Sequence, residues 1–539
     1  MSNCLKKNLI LYISFAIILM HSLYFYQQKK GFFLDEALSF RLANSNVVTI
    51  DDVAYFVSNE SIEQLLDELL DRTLEIYKWQ NQDEILAKYT TIHGEEFNYI
   101  NVYFLQAMDN HPPLYYFVLK TLCSIFQNVD LISIGFLINI ICLLLVCYIV
   151  YRIGIYVFDN QICAIAAMLY YGLSFSFINN ATFFRMYALL TFLTILLLFL
   201  CIRWMKNGYD SDKKSLICLC LVEYAAMMTQ YFAFFICVPL FVMNIIFMVI
   251  DKKSIKSYLI FNIVTVVMYL FTWPFAIRHL LFTDRGDDVT GNLREFRIIQ
   301  NIMEYKDTVS QDLFANINLY IKCFFILLCA TVLIKIVKAI INRNIADSVQ
   351  SDMVRSMLYV FITAFAYFVI ASNSVPWFVD RYIMPVMPLF SIIIVYVIYQ
   401  TLLLIIKNKT ICGCFLILFA MIICIFWHAR LVPHYLFNDS DRKSYVENYT
   451  ELDAVIIDKP DEILNSEIEL NFSHPNIYET DYDNASQLRE VLSKDNKYVA
   501  YIRNTENTDD LIIQLEEMGY DLRKIEYESE FYKIYLLSD

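Results

Sequence analysis

Charge is what this sequence has least of. Asp, Glu, Lys and Arg supply 18% of its 539 residues, against about 25% in water-soluble domains. Repeated amphipathic patterns are scarce too, and long apolar runs stand in their place, which excludes a soluble globular protein and leaves a polytopic membrane protein. A basic patch is also missing. Residues 430–539 carry 25 acidic against 11 basic side chains while the first 429 residues balance at 31 and 31, so the net charge of −14 belongs to the C-terminal segment. Nucleic-acid binding has nothing to rest on. Cysteine is absent from the long polar stretches, for none of the 14 lies in 27–111, 276–316 or 430–539. Apart from Cys4 they sit in or beside apolar runs as small hydrophobes. No disulfide framework or zinc-type C-x-x-C follows, and Cys412-Gly413-Cys414, with one intervening residue, is poor metal spacing. No internal repeat is present.

What the chain does have is eleven apolar runs of span-like character: 8–26, 131–151, 161–178, 182–204, 215–229, 231–250, 257–277, 317–341, 356–372, 382–406 and 410–428. Most have the ~20 residues that carry a helix across a bilayer. The first follows Lys6-Lys7 and ends without a small-x-small cleavage site, so it reads as an uncleaved anchor. A further run, 112–127, is short. The clusters at Lys6/Lys7, Arg152, Arg203/Lys206, Lys213/Lys214, Lys252/Lys253/Lys256, Lys335/Lys338/Arg343 and Lys407/Lys409 share the cytoplasmic side only if 112–127 does not cross. It is read as a half-length or interfacial helix. The expected fold is therefore an all-α polytopic membrane protein, about eleven transmembrane helices plus interfacial helices, with a small C-terminal α/β soluble domain.

Four segments follow: a first transmembrane helix at 1–26, an extracytoplasmic loop at 27–111, a transmembrane domain at 112–428 and an extracytoplasmic α/β domain at 429–539. The loops 276–316 and 373–381, and residues 183–187, are expected on the same outer side. An amphipathic helix is suggested at 60–78 by Ile62, Leu65, Leu66, Leu69, Leu70 and Leu74. In the tail, 453–458 and 497–502 read as strands, 485–493 and 509–518 as helices, and 524–527 with 532–537 as a closing hairpin.

Few residues could carry chemistry. Asp35-Glu36 lies just beyond the first span with apolar residues on both sides, and an acid at the membrane edge is a functional candidate by default; the alternative is a solvated loop. Asp109-Asn110-His111-Pro112-Pro113 opens the short helix, whose N-terminus suits a phosphate, or is a plain helix start. Arg185 is the one charge between Asp159 and Arg203. At a helix start it opposes the macrodipole, so phosphate binding by its planar fork stands beside snorkelling to headgroups. Asp380-Arg381-Tyr382 repeats the arrangement before another span. Glu223, inside the run 215–229, is the best feature for a rival reading, a lipid or small-molecule transporter. That reading calls for matching halves, and no two-fold hydropathy symmetry is seen. A scaffold anchored in the membrane would not need eleven spans.

Taken in order, Leu34-Asp35-Glu36-Ala37, Asp109-x-His111-Pro112-Pro113-Leu114-Tyr115-Tyr116, Arg185-Met186-Tyr187-Ala188-Leu189, Thr229-Gln230-Tyr231-Phe232, Trp273-Pro274 and Asp380-Arg381-Tyr382-x-x-Pro385 resemble the bacterial GT-C glycosyltransferases related to protein O-mannosyltransferases and aminoarabinose transferases. The resemblance covers roughly 1–430. Phe183-Phe184 stand where these enzymes commonly carry an acid and a small residue, and Gln230 where a histidine is common, which bears on the sugar or acceptor handled. The resemblance implies transfer of a sugar from a polyprenyl-phosphate donor to a glycan, lipid or protein acceptor at the outer face, with inversion. It makes Asp35 the general base and Glu36 its orienting neighbour or, with Asp35, a ligand for Mg²⁺ or Mn²⁺. His111, Arg185, Tyr187, Arg381 and Tyr382 would hold donor and phosphate, and Asp109, Gln230 and Asp380 would position substrate.

Overall fold

The computed structural model describes residues 2–48, 77–209, 213–283, 297–342, 351–375, 377–438, 440–459, 465–493, 496–527, 529 and 531–538, with 286, 289, 291, 292 and 294. The chain divides into two compact units, the first made of 1–27, 110–115 and 136–434, the second of 28–109, 116–135 and 435–539.

Apolar helices build the first unit. Among the described residues seven helices are long and apolar enough to cross a membrane: Leu9–Tyr26, Leu131–Phe158, Tyr187–Lys206, Tyr231–Ile250, Asp352–Ser372, Met384–Ile405 and Lys409–Arg430. Three bent pairs raise the count to ten, and each bend has a local cause. Between Gln161–Gly172 and Phe175–Thr182 the axis turns by 54°, where the Ser174 side chain accepts the Phe177 N–H and starts a new helix. Between Lys256–Thr272 and Phe275–Leu281 it turns by 87° at Pro274, which has no N–H to continue the ladder. Between Lys306–Phe314 and Asn318–Thr331 it turns by 90° at Ala315 and Asn316, both left-handed with φ of 51° and 54°. The remaining apolar run, 215–229, forms Lys213–Met227, only 15 residues, because the chain leaves the helix for a tight 3₁₀ turn at Tyr231–Ala233. The run 112–127 folds as Leu114–Ile125, 12 residues or about 18 Å, short of the ~30 Å of hydrocarbon.

The last span packs on Gln161–Gly172. A Cβ on Gly413 would come within 2.7 Å of Ile162 and 3.0 Å of the Cys163 nitrogen, so the glycine between Cys412 and Cys414 serves close helix approach.

A sheet of six strands organises the second unit. In chain order these are β1 (Trp79–Asn81), β2 (Ala454–Asp458), β3 (Asn476–Asp481), β4 (Tyr498–Arg503), β5 (Asp521–Lys524) and β6 (Tyr532–Ser538). Their order across the sheet is β1-β3-β2-β4-β6-β5. The β2 strand runs parallel to β3 and β4, and the outer pairings are antiparallel. Central parallel strands are covered on both faces and so read as continuous runs; every residue of β2 and β4 is buried. Val455, Ile457, Ala500 and Ile502 pack on Leu488, Leu511 and Leu515 of the covering helices Leu488–Val491 and Thr508–Glu517.

The tail is thus α/β as expected, with the expected strands at β2 and β4; the closing hairpin is β5–β6, its first strand at Asp521–Lys524 and not at the expected 524–527. Two strands carried no clear sequence signal: β3, and β1, which residues 79–81 add to the sheet's edge by pairing Trp79 with Tyr478. The helix expected at 60–78 falls on 49–76, outside the described residues, except Tyr77 and Lys78, which lie in a bend before β1.

Candidate functional site

Asp35, Glu36 and Asp109 belong to the second unit; His111, Arg185, Tyr187, Gln230, Asp380, Arg381 and Tyr382 belong to the first. In the second unit Asp35 stands, partly exposed, in the first turn of the helix Leu34–Asn44. An acid there is favoured by the macrodipole. Glu36, next along, is fully buried and faces back: its Oε2 accepts the Phe33 N–H at 2.6 Å and the Lys29 ammonium at 3.0 Å. Lys29 is equally buried and also donates to the Tyr435 carbonyl at 2.7 Å. Burial pulls the Lys29 ammonium below its ordinary proton affinity, and the Glu36 carboxylate pulls it back up.

The tail grips this strap at further points. The Asn471 side chain accepts the Phe32 N–H and donates to the Phe32 carbonyl, both at 2.7 Å, as a neighbouring strand would. A Cβ on Gly31 would stand 2.6 Å from that same Asn471 oxygen, so the turn needs glycine. At the other end of the helix Arg41 donates to Asn465 at 2.9 Å and lies 3.7 Å from Glu469. Lys88 meets Glu469 at 2.7 Å, and the Tyr89 hydroxyl donates to it as well. Burial alone would raise the Glu469 carboxyl; Lys88 and Arg41 overcome that and hold it down at about 2. Glu479, which accepts from the Asn465 amide, is pushed the other way, up to about 8, by burial and by Glu469. The two neighbouring carboxyls are thus driven in opposite directions. Asp109 is half-buried and ends the helix Tyr99–Met108, its N–H donating to the Leu105 carbonyl at 3.0 Å.

In the first unit the segment ahead of Arg185 is pinned by Asn139, whose side chain donates to the carbonyls of Asn180 at 3.0 Å and Phe183 at 2.7 Å. Phe183 and Phe184 are wholly buried and turn the chain so that Arg185, itself buried, precedes the helix start at Tyr187. Phe183 stacks on Tyr187 at 5.9 Å. Asp380, Arg381 and Tyr382 form a 3₁₀ turn before Met387–Ile405. Asn179 Nδ2 donates to Asp380 Oδ2 at 3.2 Å, and His434 Nδ1 lies 3.3 Å from the same oxygen. The Tyr382 carbonyl takes the Tyr367 hydroxyl at 2.8 Å, and the Arg381 guanidinium lies 5.4 Å from the Tyr382 ring.

Four of these residues act electrostatically on Tyr305, whose ring meets Phe368 at 5.8 Å and Phe378 at 5.5 Å. Its phenol is fully buried; burial, then Tyr382, Tyr187 and Asp380, push its proton affinity well up, and Arg381 draws it down. Gln230 is engaged locally, its side chain accepting the Tyr231 N–H at 2.6 Å, and the Tyr231 hydroxyl meets His279 at 2.7 Å and Trp273 at 3.0 Å. His111 is half-buried before the helix Leu114–Ile125, whose Leu114 N–H donates to the Met228 carbonyl at 3.0 Å. Glu223 lines an apolar cavity of about 340 Å³ with Phe234, Phe241 and Asn262.

Sequence reasoning missed Lys29, Tyr305, His434 and Asn471. No motif in the polar stretch after the first span or in the loop 276–316 singles out Lys29 or Tyr305. Asn471 sits in a stretch with no pattern at all. The structure also bears on a divalent ion at Asp35 and Glu36. A carboxylate that already meets a buried ammonium at 3.0 Å is a poor oxygen ligand for Mg²⁺ or Mn²⁺, which want carboxylates not compensated by a cation. The pair does not fit a two-carboxylate metal centre, and Glu36 fits support of the helix start.

Comparison with known proteins bears on the first unit most directly. Residues 110–276 match the family model described as dolichyl-phosphate-mannose-protein mannosyltransferase, a stretch that includes His111, Arg185, Tyr187 and Gln230. No curated protein sequence matches the chain. Among solved structures, ArnT from Cupriavidus metallidurans in its apo state is similar at 11% identity, covering 98% of this chain and 97% of that one, with a TM-score of 0.50. Residues 110–276 are thus similar to that mannosyltransferase family, and the chain as a whole has an ArnT-like membrane fold.

Proposed function

We propose that the protein moves a sugar from a polyprenyl-phosphate donor to a hydroxyl or amine of an envelope glycan, lipid or protein at the outer face of the cytoplasmic membrane, with inversion at the anomeric carbon. The acceptor oxygen or nitrogen forms the new bond to that carbon as the bond to the phosphate oxygen breaks. The leaving polyprenyl monophosphate keeps the electron pair, and the acceptor's proton passes to Asp35. A carboxylate with a reference pKa of ~3.9 is ionised and ready for this at neutral pH. Arg185 and Arg381 meet the charge that grows on the leaving phosphate, and each well-placed donor of this kind contributes about 2.7–4 kcal/mol. His111, Tyr187 and Tyr382 hold donor and phosphate, and Asp109, Gln230 and Asp380 keep substrate or neighbouring groups in register. Glu36 positions Asp35 and binds no metal.

The observation that carries this reading is the treatment of the two neighbouring acids: Glu36 is fully buried against Lys29, while Asp35 is left partly exposed on the helix start that the pair fixes. The test is turnover of a polyprenyl-phosphate sugar by purified Asp35→Asn. Loss of a general base lowers the rate by about 10²–10⁴, and a rate within tenfold of the parent would remove Asp35 from this role.

A further inference from the structure

The first and last spans meet at three groups that the transfer reaction does not use. His21, near the end of Ser2–Tyr26, and His428, near the end of Lys409–Arg430, bring their Nε2 atoms to 2.8 Å. Cys424 is one helical turn before His428, on the same face, and its Sγ lies 3.9 Å from His21 Nε2. One ligand atom from each of the three lies within 4.8 Å of the others. The rings are held by aromatic neighbours: Phe25 stacks on His428 at 5.1 Å and meets His21 edge-on at 5.3 Å. A small cavity lined by His21, Phe25, Ser174, Trp427 and His428 adjoins them.

From this cluster we infer a Zn²⁺ site that joins the first span to the last. Two imidazoles and a thiolate are the donor set that borderline-soft, tetrahedral Zn²⁺ prefers. Bond lengths of ~2.0–2.1 Å to nitrogen and ~2.3 Å to sulfur require the two nitrogens to part by only about half an ångström. The Cys424 thiol gives up its proton on binding, and the ion replaces the proton through which one imidazole meets the other. Both helices end here, and the partial negative charge of their carbonyl ends favours a cation. His428 is exposed, which gives the ion a way in. With three protein ligands the fourth position is left for water. The ion's effect is mechanical: it fastens helices that are neighbours in space but open and close the transmembrane segment in sequence.

The test is metal content and Zn²⁺ titration of the purified full-length protein, with Co²⁺ as the spectroscopic probe. The expected result is ~1 ion per chain, a thiolate-to-cobalt charge-transfer band, and a thermal midpoint that rises with Zn²⁺. Cys424→Ser and His428→Ala should each lower Zn²⁺ affinity by tenfold or more and abolish the Zn²⁺-dependent rise. The exposed Cys414 on the same helix serves as the control, and Cys414→Ser should behave as the parent. A parent that takes up no Zn²⁺, or a monodisperse Cys424→Ser that binds as tightly as the parent, overturns the site.

Discussion

Replacing Lys29 by Met removes the ammonium that Glu36 meets in a fully buried setting, 3.0 Å away. At an effective dielectric of 20 that contact amounts to about 5 kcal/mol of attraction, and stranding one partner of a buried pair typically costs ~3–5 kcal/mol. The carboxyl has an escape, for it can take up a proton. For an ordinary glutamic acid at pH 7 that uptake costs about 3.7 kcal/mol, falling to about 1.6 kcal/mol at pH 5.5, and this caps the damage. In the variant the folded state then holds a proton that the opened state does not, so stability is lost as pH rises. Amide hydrogen exchange of Leu34–Asn44 reads the opening of this helix directly. Relative to the parent, exchange corrected for intrinsic rates should be roughly 500-fold faster at pH 7 and roughly 15-fold faster at pH 5.5. Lys29→Met with Glu36→Gln, which leaves no charge behind, should recover most of the loss. An acceleration under threefold at pH 7, or an equal factor at both pH values, would refute the argument.

Other outcomes follow from the same geometry. Glu479 is held up to about 8, so the stability it contributes is fully present below the ordinary value of 4.5 and lost as pH rises toward 8; Glu469, held down at about 2, contributes stability above 4.5 that is lost as pH falls toward 2. The second unit should be most stable near pH 4.5–5, and Glu479→Gln should flatten the alkaline side of a melting-temperature profile between pH 5 and 8; an unchanged slope would count against the raised proton affinity of Glu479. Arg381→Lys keeps the charge but loses the planar fork, and Arg381→Ala loses both. Steady-state kinetics should show kcat falling modestly in the first and by about 10²–10³ in the second, whereas equal small losses would indicate a packing role.

Legibility in the sequence followed how each feature is encoded. Spans announce themselves because hydrocarbon demands a run of about 20 apolar residues, and the motif order around His111, Arg185 and Arg381 survived as local strings. The bends did not announce themselves, since they depend on single residues such as Ser174, Pro274 and the left-handed Ala315 inside runs that read as continuous. Partners distant in sequence were invisible as well: nothing near Asn471 points to Phe32, and nothing in Trp79–Asn81 points to a strand whose partner is Asn476–Asp481. Glu36 illustrates the limit most sharply. Its residue type left support and metal binding open, and the buried Lys29 that weighs on that choice is not marked as its partner by anything in the string.

The clasp between Asn471 and Phe32 spans 439 positions of sequence, and this gives the protein a clock. At about 5–20 residues per second, a ribosome that has made the Asp35 helix needs roughly 20–90 s more to reach the asparagine that holds it. Throughout that interval the apolar helices can enter the bilayer and assemble while the strap before Asp35 lacks its mould. The helix bearing the proposed base therefore gains its Asn471 partner only after the transmembrane segment has been made.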